Sequence, residues 1–162
     1  TKPLFRSRLT AALKNLVAGK PNAADRNELD ELARCDYTGK RILLVEDNEL
    51  NREIAKEIIG MTGVSIECAE NGREAVEKFT AAPVGYYDLI FMDIQMPLMN
   101  GYETTAAIRA QTLHGGQTIP IVAMTANAFA EDVVLSRNAG MNDHIAKPLD
   151  LNKLSDVLRQ WL

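Results

Sequence analysis

The chain has 162 residues, of which 46% are hydrophobic and 25% charged, a balance typical of a water-soluble globular domain with a short appendage. No apolar run approaches the roughly 20 residues that span a bilayer, and the first residues lack the apolar core of a signal peptide, so we expect a cytoplasmic chain without membrane contact of its own, although a longer parent protein could be membrane-anchored. Residues 41–162 carry ten basic against seventeen acidic residues, and an acidic region without a basic stripe argues against nucleic-acid binding.

The first seventeen residues are similar to the last ones of the same chain. Internal similarity at the spacing of a domain indicates tandem related domains, although a chance likeness between two amphipathic helices would give the same match. We therefore expect residues 1–17 to be the C-terminal helix of a preceding, truncated domain of the same fold. Residues 18–39, which are polar and contain Gly and Pro, are predicted to be a linker. The identical pairs, 145 positions apart, are Lys2 and Lys147, Pro3 and Pro148, Leu4 and Leu149, Leu9 and Leu154, and Leu13 and Leu158.

From residue 40 onwards, short apolar runs alternate with amphipathic stretches. The apolar runs predict strands buried on both faces, and the stretches between them have apolar residues at helical spacing. In the first helix, Leu50, Ile54, Ile58 and Met61 predict the buried face, and Asp47 or Asn48 can cap its start. The predicted strands are 41–45, 64–68, 87–92, 119–124 and 143–146; the predicted helices are 48–61, one that begins at 71, 102–111, 127–138 and 149–162.

This alternation predicts an α/β fold in which a doubly wound parallel sheet of five strands has helices on both faces. Sheets of this kind place their chemistry at the carboxyl ends of the strands. Glu46 and Asp47 follow the first predicted strand, and Asp93 follows the third. Thr125 follows the fourth strand, and Lys147 ends the fifth. We therefore expect these five residues to converge on one edge of the sheet.

The residue types at this edge are suited to phosphoryl transfer to a carboxylate. Three carboxylates that lie close together repel, and a cation makes the arrangement tolerable. Oxygen ligands favour a hard ion, with Mg²⁺ preferred and Mn²⁺ also acceptable. Lys147 and the Thr125 hydroxyl can hold phosphate oxygens opposite that ion. Each residue alone would more often be a helix cap, a solvated side chain or a strand former, so the interpretation depends on their joint occurrence.

Four segments carry a family resemblance: LLVEDN (43–48), DLIFMDIQMPLMNGYE (88–103), PIVAMTANA (120–128) and AGMNDHIAKPL (139–149). In order and spacing they resemble the CheY-like receiver domain of response regulators, in the form fused to hybrid sensor histidine kinases. The resemblance covers residues 40–162. It implies a flavodoxin-like sheet with strand order 2-1-3-4-5, and it makes the preceding domain at residues 1–17 receiver-like as well.

The resemblance also implies a role for each residue of the predicted site. Asp93 would be the phosphoacceptor and a metal ligand. Asp47 would bind Mg²⁺ directly, and Glu46 would do so mostly through water. The other implied contacts are the backbone carbonyl of Gln95 to the metal, and Thr125, Lys147 and the backbone N–H groups of Ile94 and Ala126 to the phosphoryl group, with a cis peptide between Lys147 and Pro148.

One position departs from the family pattern. Three residues before Lys147, where the family has a Tyr or Phe that turns inward on activation, this chain has His144. A histidine could still move between pocket and solvent and would make the switch sensitive to pH, although a half-exposed histidine without a role is equally consistent with the sequence. Thr125 and His144 are therefore the predicted switch residues.

The function implied by the resemblance is that of a signalling module in a two-component or phosphorelay system. A histidine kinase phosphodonor domain or a histidine phosphotransfer domain would donate to Asp93, and the chain would belong to a hybrid sensor histidine kinase or, alternatively, to a stand-alone response regulator. Its own chemistry would be at most self-phosphorylation and self-dephosphorylation. An aspartyl-phosphate hydrolase or phosphotransferase would need an acid/base Asp at the position of Gln95. A silent interaction domain would lack the acidic pair or the lysine.

Overall fold

The computed structural model describes residues 34, 36–96, 99–111, 113, 115–125, 130–146 and 151–162, with backbone alone at 130–132 and 151–152. Within these ranges five strands alternate with five helices, as predicted. None of the described helices is both long and apolar enough to cross a membrane. The strands are β1 (Arg41–Val45), β2 (Ser65–Ala69), β3 (Leu89–Asp93), β4 (Ile121–Thr125) and β5 (Asp143–Ala146); the helices are α1 (Glu49–Gly60), α2 (Gly72–Ala81), α3 (Gly101–Arg109), α4 (Ala130–Ala139) and α5 (Leu151–Trp161).

The strands form one parallel sheet in the order β2-β1-β3-β4-β5, which confirms the predicted fold class and strand order. The bounds of β1 and β5 agree with the predicted ones. β3 and β4 begin two residues later than predicted and extend one residue further, so that Asp93 and Thr125 are the last residues of their strands. The two site residues are therefore held by the sheet ladder itself.

The core has two halves, because neighbouring residues of a buried strand point to opposite faces. In β1, Ile42 and Leu44 pack on one face with apolar residues of α1 and α5. Leu43 and Val45 pack on the other face with residues of α2 and α3. All four are fully buried, and each such side chain contributes about 1.5–3 kcal/mol relative to exposure. The continuous apolar runs in the sequence follow from this burial on both faces.

Three of the helices that start at the carboxyl edge of the sheet begin with an asparagine cap. The side-chain oxygen of the asparagine accepts a hydrogen bond from the backbone N–H three residues further on, which satisfies a donor that the helix leaves unpaired. For α1 the cap is Asn48 and not Asp47, so the Asp47 carboxylate is not used as a cap. The bonds run from Asn51 to Asn48 (3.0 Å), from Glu74 to Asn71 (2.8 Å) and from Glu103 to Asn100 (2.9 Å).

The predicted buried face of α1 is wrong at its first member. Leu50 is 67% exposed, whereas Ile54 and Ile58 are buried and Met61 packs at the border of the core. Leu50 belongs to the first turn, which lies beyond the ends of the strands, so its helical spacing does not bring it onto the sheet. Its exposed apolar side chain lies on the same side of the molecule as the candidate site.

The last residues of the predicted linker lie against the domain. The backbone N–H of Tyr37 donates to the carbonyl of Thr62 (2.8 Å), and its ring packs against the core beside α1. Asp36 accepts hydrogen bonds from the backbone and the hydroxyl of Thr38, which lower the pKa of its carboxyl group. Residues 1–33 and 35, and with them most of the proposed linker and the proposed preceding helix, lie outside the described residues.

Candidate functional site at the carboxyl edge of the sheet

The register of β1 and β3 brings three carboxylates together. Val45 is the partner of Met92 in the sheet, so the next residue on each strand, Glu46 and Asp93, lies at the same edge. One carboxylate oxygen of each of Glu46, Asp47 and Asp93 lies within 4.8 Å of the others. Glu46 and Asp93 are buried, at 2% and 3% exposure, whereas Asp47 is exposed. The arrangement is a cluster of like charges with one member open to solvent.

The turn between β1 and α1 holds the first two acids in place. The N–H of Glu46 continues the sheet by donating to the Ala69 carbonyl (3.1 Å). The Glu46 carboxylate accepts from the N–H of Asn48 (3.3 Å), the residue that caps α1. Because the strand fixes one end of the turn and the helix fixes the other, Asp47 lies between them at the rim of the cleft.

A glycine keeps the backbone of α3 close to the Asp93 strand end. The Gly101 N–H donates to the Ile94 carbonyl (2.8 Å). A Cβ atom at Gly101 would lie 2.5 Å from the Asp93 carbonyl oxygen and 2.8 Å from the Ile94 Cα, and both are backbone atoms that cannot give way cheaply. A glycine is needed where φ is positive or where another group comes too close for a Cβ atom, and this close approach explains Gly101.

Two backbone N–H groups that follow Asp93 have hydrogen-bond partners within the chain. The N–H of Gln95 donates to Oδ1 of Asp93 at 3.3 Å. The N–H of Ile94, which was expected to bind a phosphoryl group, donates to the Met124 carbonyl at 3.2 Å. The Gln95 N–H was missed because the sequence shows which residues follow a strand but not which way each peptide turns.

Thr125 is the member of the expected set at the end of β4. It is 8% exposed and is paired in the sheet with Ala146. Lys147, the next residue of the chain, lies outside the described residues, as do Ala126 and the Lys147–Pro148 peptide. The described part thus brings together four of the predicted side chains at one edge: Glu46, Asp47, Asp93 and Thr125.

A cleft of about 560 Å³ opens over this edge, which is enough for a phosphoryl group and its hydration. Its wall includes the exposed acid Asp47, Gln95 and the apolar residues Ile94, Met96 and Leu135. The donor set around the acids consists of carboxylate oxygens, which suits a hard divalent cation such as Mg²⁺ and not a thiol- or imidazole-binding metal. The residues present therefore fit the magnesium site that the family implies.

His144, the predicted switch residue, is half-buried on β5 next to a charged pair. Its backbone N–H donates to the Asp143 carboxylate (2.8 Å), and its Nδ1 lies 3.9 Å from the same oxygen. The Lys153 ammonium group lies 3.3 Å from that oxygen as well. The Asp143 carboxylate thus lies close to both the His144 ring and the Lys153 ammonium group.

The fold, together with a carboxylate cluster at the ends of β1 and β3, defines a receiver-type α/β domain. The chain belongs to the response regulator receiver domain family, whose model matches residues 42–159. It is 41% identical over 125 residues to the two-component response regulator ORR41 of Oryza sativa subsp. japonica, a match that covers 75% of this chain and 93% of that protein. It is 37% identical over 123 residues to hybrid signal transduction histidine kinase A of Dictyostelium discoideum, covering 75% of this chain but 6% of that kinase.

The chain is also similar to solved structures of receiver domains, and two of them cover about three quarters of it with more than 30% identity. The receiver domain of sensor histidine kinase PA1611 from Pseudomonas aeruginosa PAO1, with magnesium coordinated in its active-site cleft, has a TM-score of 0.68 and 37% identity over 76% of this chain and 98% of that one. The Saccharomyces cerevisiae Ssk1 receiver domain, in complex with the histidine phosphotransfer protein Ypd1, has a TM-score of 0.67 and 33% identity over 75% of this chain and 88% of that one. The chain is thus a receiver domain of the two-component class, similar to those of hybrid kinases.

Proposed function

We propose that this receiver domain accepts a phosphoryl group from a phosphohistidine onto the carboxylate of Asp93. The observation that carries the proposal is the convergence of the Glu46, Asp47 and Asp93 carboxylates within 4.8 Å at the ends of two neighbouring strands. The magnesium in the corresponding cleft of the PA1611 receiver domain supports the same use of the site here. Asp47, Asp93 and the Gln95 carbonyl would hold Mg²⁺ directly, and Glu46 would hold it mostly through water.

In the reaction, the bond between phosphorus and the histidine nitrogen breaks while a bond forms between phosphorus and a carboxylate oxygen of Asp93. The departing imidazole keeps the electron pair of the broken bond and later takes up a proton. Mg²⁺ held by the acidic residues of the site would supply positive charge that stabilises the negatively charged phosphoryl group during transfer. Thr125 and Lys147 hold the oxygens opposite the acids, and the backbone N–H groups of Ile94 and Ala126 add further donors.

The Ile94 N–H has a partner in the present state, the Met124 carbonyl, and has to share or exchange it in order to bind phosphate. The Thr125 hydroxyl, at the end of β4, turns towards the new phosphoryl group. His144, on the neighbouring strand, follows that movement. The face formed by α4, β5 and α5 then changes its arrangement and passes the signal on.

The partners are a histidine kinase phosphodonor domain, a histidine phosphotransfer domain, or both. The Ypd1–Ssk1 complex shows that a receiver domain 33% identical to this chain assembles with a histidine phosphotransfer protein. The chain spans 6% and 8% of the length of hybrid signal transduction histidine kinases A and E of Dictyostelium discoideum, so membership of a hybrid kinase is part of the proposal. In that parent protein, residues 1–17 end a preceding receiver-like domain and residues 18–39 are a linker; a stand-alone response regulator is the alternative.

The test is chemical phosphorylation with acetyl phosphate, followed by intact-mass spectrometry. The wild-type chain should gain one phosphoryl group in the presence of Mg²⁺ and none after chelation. Asp93→Asn should gain none, whereas the matched control Asp156→Asn, an exposed acid on α5, should behave like wild type. An adduct that persists in Asp93→Asn would refute the assignment of the phosphoacceptor.

A second measurement, in which excess phosphomonoester replaces acetyl phosphate, separates the domain from an aspartyl-phosphate hydrolase. Such an enzyme would turn over many equivalents of a phosphomonoester, whereas a receiver stops at about one phosphoryl group per chain on the timescale of labelling. The residue two positions after Asp93 is Gln95, whose amide side chain cannot act as a general acid or base. Sustained release of inorganic phosphate from excess phosphomonoester would favour the hydrolase.

A further inference from the structure

Arg52 lies beside the acidic pair, at a position that no motif singles out. It belongs to the first turn of α1, and its Nη1 donates to the backbone carbonyl of Glu46 at 3.0 Å. Its Nη2 lies 3.6 Å from the carboxylate of Glu70, in the loop that follows β2. The Arg52 side chain is only 12% exposed, whereas that of Glu70 is 68% exposed. The guanidinium therefore bridges the end of β1 and the β2–α2 loop.

The carbonyl that Arg52 binds belongs to the peptide between Glu46 and Asp47, so its orientation helps to set where both carboxylates point. The N–H on the other side of Glu46 is fixed by the Ala69 carbonyl. The Glu46 side chain is fixed by the N–H of Asn48. With Arg52 in place, the acidic turn is held from the sheet, from the cap of α1 and from the first helical turn.

We infer that Arg52 is a positioning residue for metal binding, which holds the Glu46–Asp47 peptide so that the two carboxylates converge with that of Asp93, while Glu70 orients the guanidinium. This inference rests on the proposed function, because it concerns the Mg²⁺ site assigned there. A planar guanidinium can serve a carbonyl and a carboxylate at the same time, which the single ammonium group of a lysine does less well.

The direction in which Mg²⁺ affinity changes when Arg52 is removed distinguishes a positioning role from an effect of its charge alone. Arg52 is a cation near a site that binds a cation, so its field alone opposes Mg²⁺ binding. Removal of the charge without loss of geometry would strengthen Mg²⁺ binding. Removal of a group that orients ligands weakens metal binding instead, commonly by about 10–100-fold. The two roles therefore predict opposite changes of the Mg²⁺ dissociation constant.

The experiment is an NMR chemical-shift titration with MgCl₂ of the wild-type chain and of Arg52→Gln, Arg52→Lys and Arg73→Gln. We expect Arg52→Gln to bind Mg²⁺ about 10-fold more weakly, and Arg52→Lys to lie between it and wild type. Arg73→Gln removes the same charge from an exposed position on α2 and should bind as wild type or slightly more tightly. Glu70→Gln should weaken binding clearly more in the wild-type background than in Arg52→Gln, where only the small direct effect of the Glu70 charge is left.

Unchanged or tighter Mg²⁺ binding by Arg52→Gln would overturn the inference and leave the proposed function intact. Absence of Mg²⁺ binding by the wild-type chain would instead overturn the proposed function. Thermal unfolding of each variant shows whether it is folded at the titration temperature. If Arg52→Gln does not fold, Arg52→Lys and Glu70→Gln decide the question, and wild-type affinity in both would overturn the inference.

Discussion

The carboxyl and amino edges of the sheet differ in how their charged side chains are surrounded. At the carboxyl edge, the Glu46, Asp47 and Asp93 carboxylates are gathered within 4.8 Å of one another. At the amino edge, Arg109 at the end of α3 directs its guanidinium to neutral oxygens of the chain. In the described part of the chain these are the Gly140 carbonyl (2.7 and 3.0 Å), the Gly116 carbonyl (2.9 Å), the Ile119 carbonyl (2.6 Å) and the Asn142 side chain (2.7 Å).

This difference shows which edge serves stability and which serves function. Arg109 joins α3 to the loops that lead into β4 and β5, and its partial burial lowers the pKa of its guanidinium. Every N–H group of the Arg109 guanidinium has an acceptor within the chain, so this cation needs no ligand. The acidic edge concentrates like charge, which favours a bound cation over the metal-free state. The predictions below alter one edge at a time.

The largest expected effect is that of Arg109→Gln. The substitution leaves the carbonyls of Gly140 and Ile119 without their charged donor, and we expect the free energy of unfolding to fall by about 3 kcal/mol, since hydrogen bonds to charged groups contribute about 1.5–3 kcal/mol each and not all are lost outright. Urea denaturation measures the change. Arg137→Gln, an exposed position on α4, is the control and should stay within about 0.5 kcal/mol of wild type. Equal stability of the two variants would contradict the role given to Arg109.

Gly101→Ala should be the next most damaging change, this time at the carboxyl edge. The new methyl group would meet the Asp93 backbone at 2.5 Å, and we expect a loss of about 2 kcal/mol together with slower phosphorylation, because the strand end that carries Asp93, the proposed phosphoacceptor, has to shift. Gly60→Ala is the matched control, since the nearest atom there is 3.9 Å away and belongs to the flexible Ile66 side chain. Similar losses in both variants would show that the close approach of α3 is unimportant.

Most of the site was predictable because it depends on strand ends. Residues that follow buried strands of a parallel sheet meet at one edge, and from the sequence alone this rule predicts that Glu46, Asp47 and Asp93 lie together. The strand order followed from the family resemblance. Leu50 was misplaced because helical spacing identifies a face of α1 but not where the sheet beneath it ends.

Arg52 and Arg109 could not be predicted, for a different reason. Both are long side chains that donate to backbone carbonyls as well as to a side chain, and every residue carries such a carbonyl. Which one lies within reach depends on how loops distant in sequence are brought together: Arg109 and Gly140 are 31 residues apart. The sequence therefore shows where charge accumulates at the site more readily than it shows how the rest of the chain supports it.

A smaller effect of opposite sign is expected when the acidic edge loses a charge. Asp47→Asn keeps the shape of the side chain and relieves repulsion from its neighbours, so in Mg²⁺-free buffer at low salt we expect unfolding to cost about 1 kcal/mol more than in wild type. The gain should shrink as salt is added. Added Mg²⁺ should raise the midpoint of thermal unfolding of wild type but hardly that of the variant. A destabilised Asp47→Asn would mean that the carboxylate stabilises the metal-free fold.

The smallest expected effect concerns tyrosines on the amino side of the sheet. Tyr86 and Tyr87, just before β3, both donate their hydroxyl groups to the Glu67 carboxylate on β2. Burial, followed by the hydrogen bond to Glu67, raises the pKa of Tyr87. A pKa that is higher in the folded than in the unfolded chain favours folding below the unfolded value of about 10, and this contribution is lost as the pH rises above it.

We therefore expect the difference in unfolding free energy between wild type and Tyr87→Phe to be constant from about pH 7 to about pH 9 and to shrink as the pH rises above about 10. Urea denaturation at each pH measures it. Tyr86→Phe should show a weaker dependence, because the pKa of Tyr86 is raised chiefly by the hydrogen bond to Glu67 and the Tyr86 ring is less buried than that of Tyr87. Arg41, whose guanidinium carbon lies 3.8 Å from the centre of the Tyr86 ring, opposes the increase. Neither Tyr86 nor Tyr87 lines the cleft beside Asp47, so the response of that cleft to Mg²⁺ should not change with either substitution. A change in Mg²⁺ affinity would show that the two edges are coupled through the sheet.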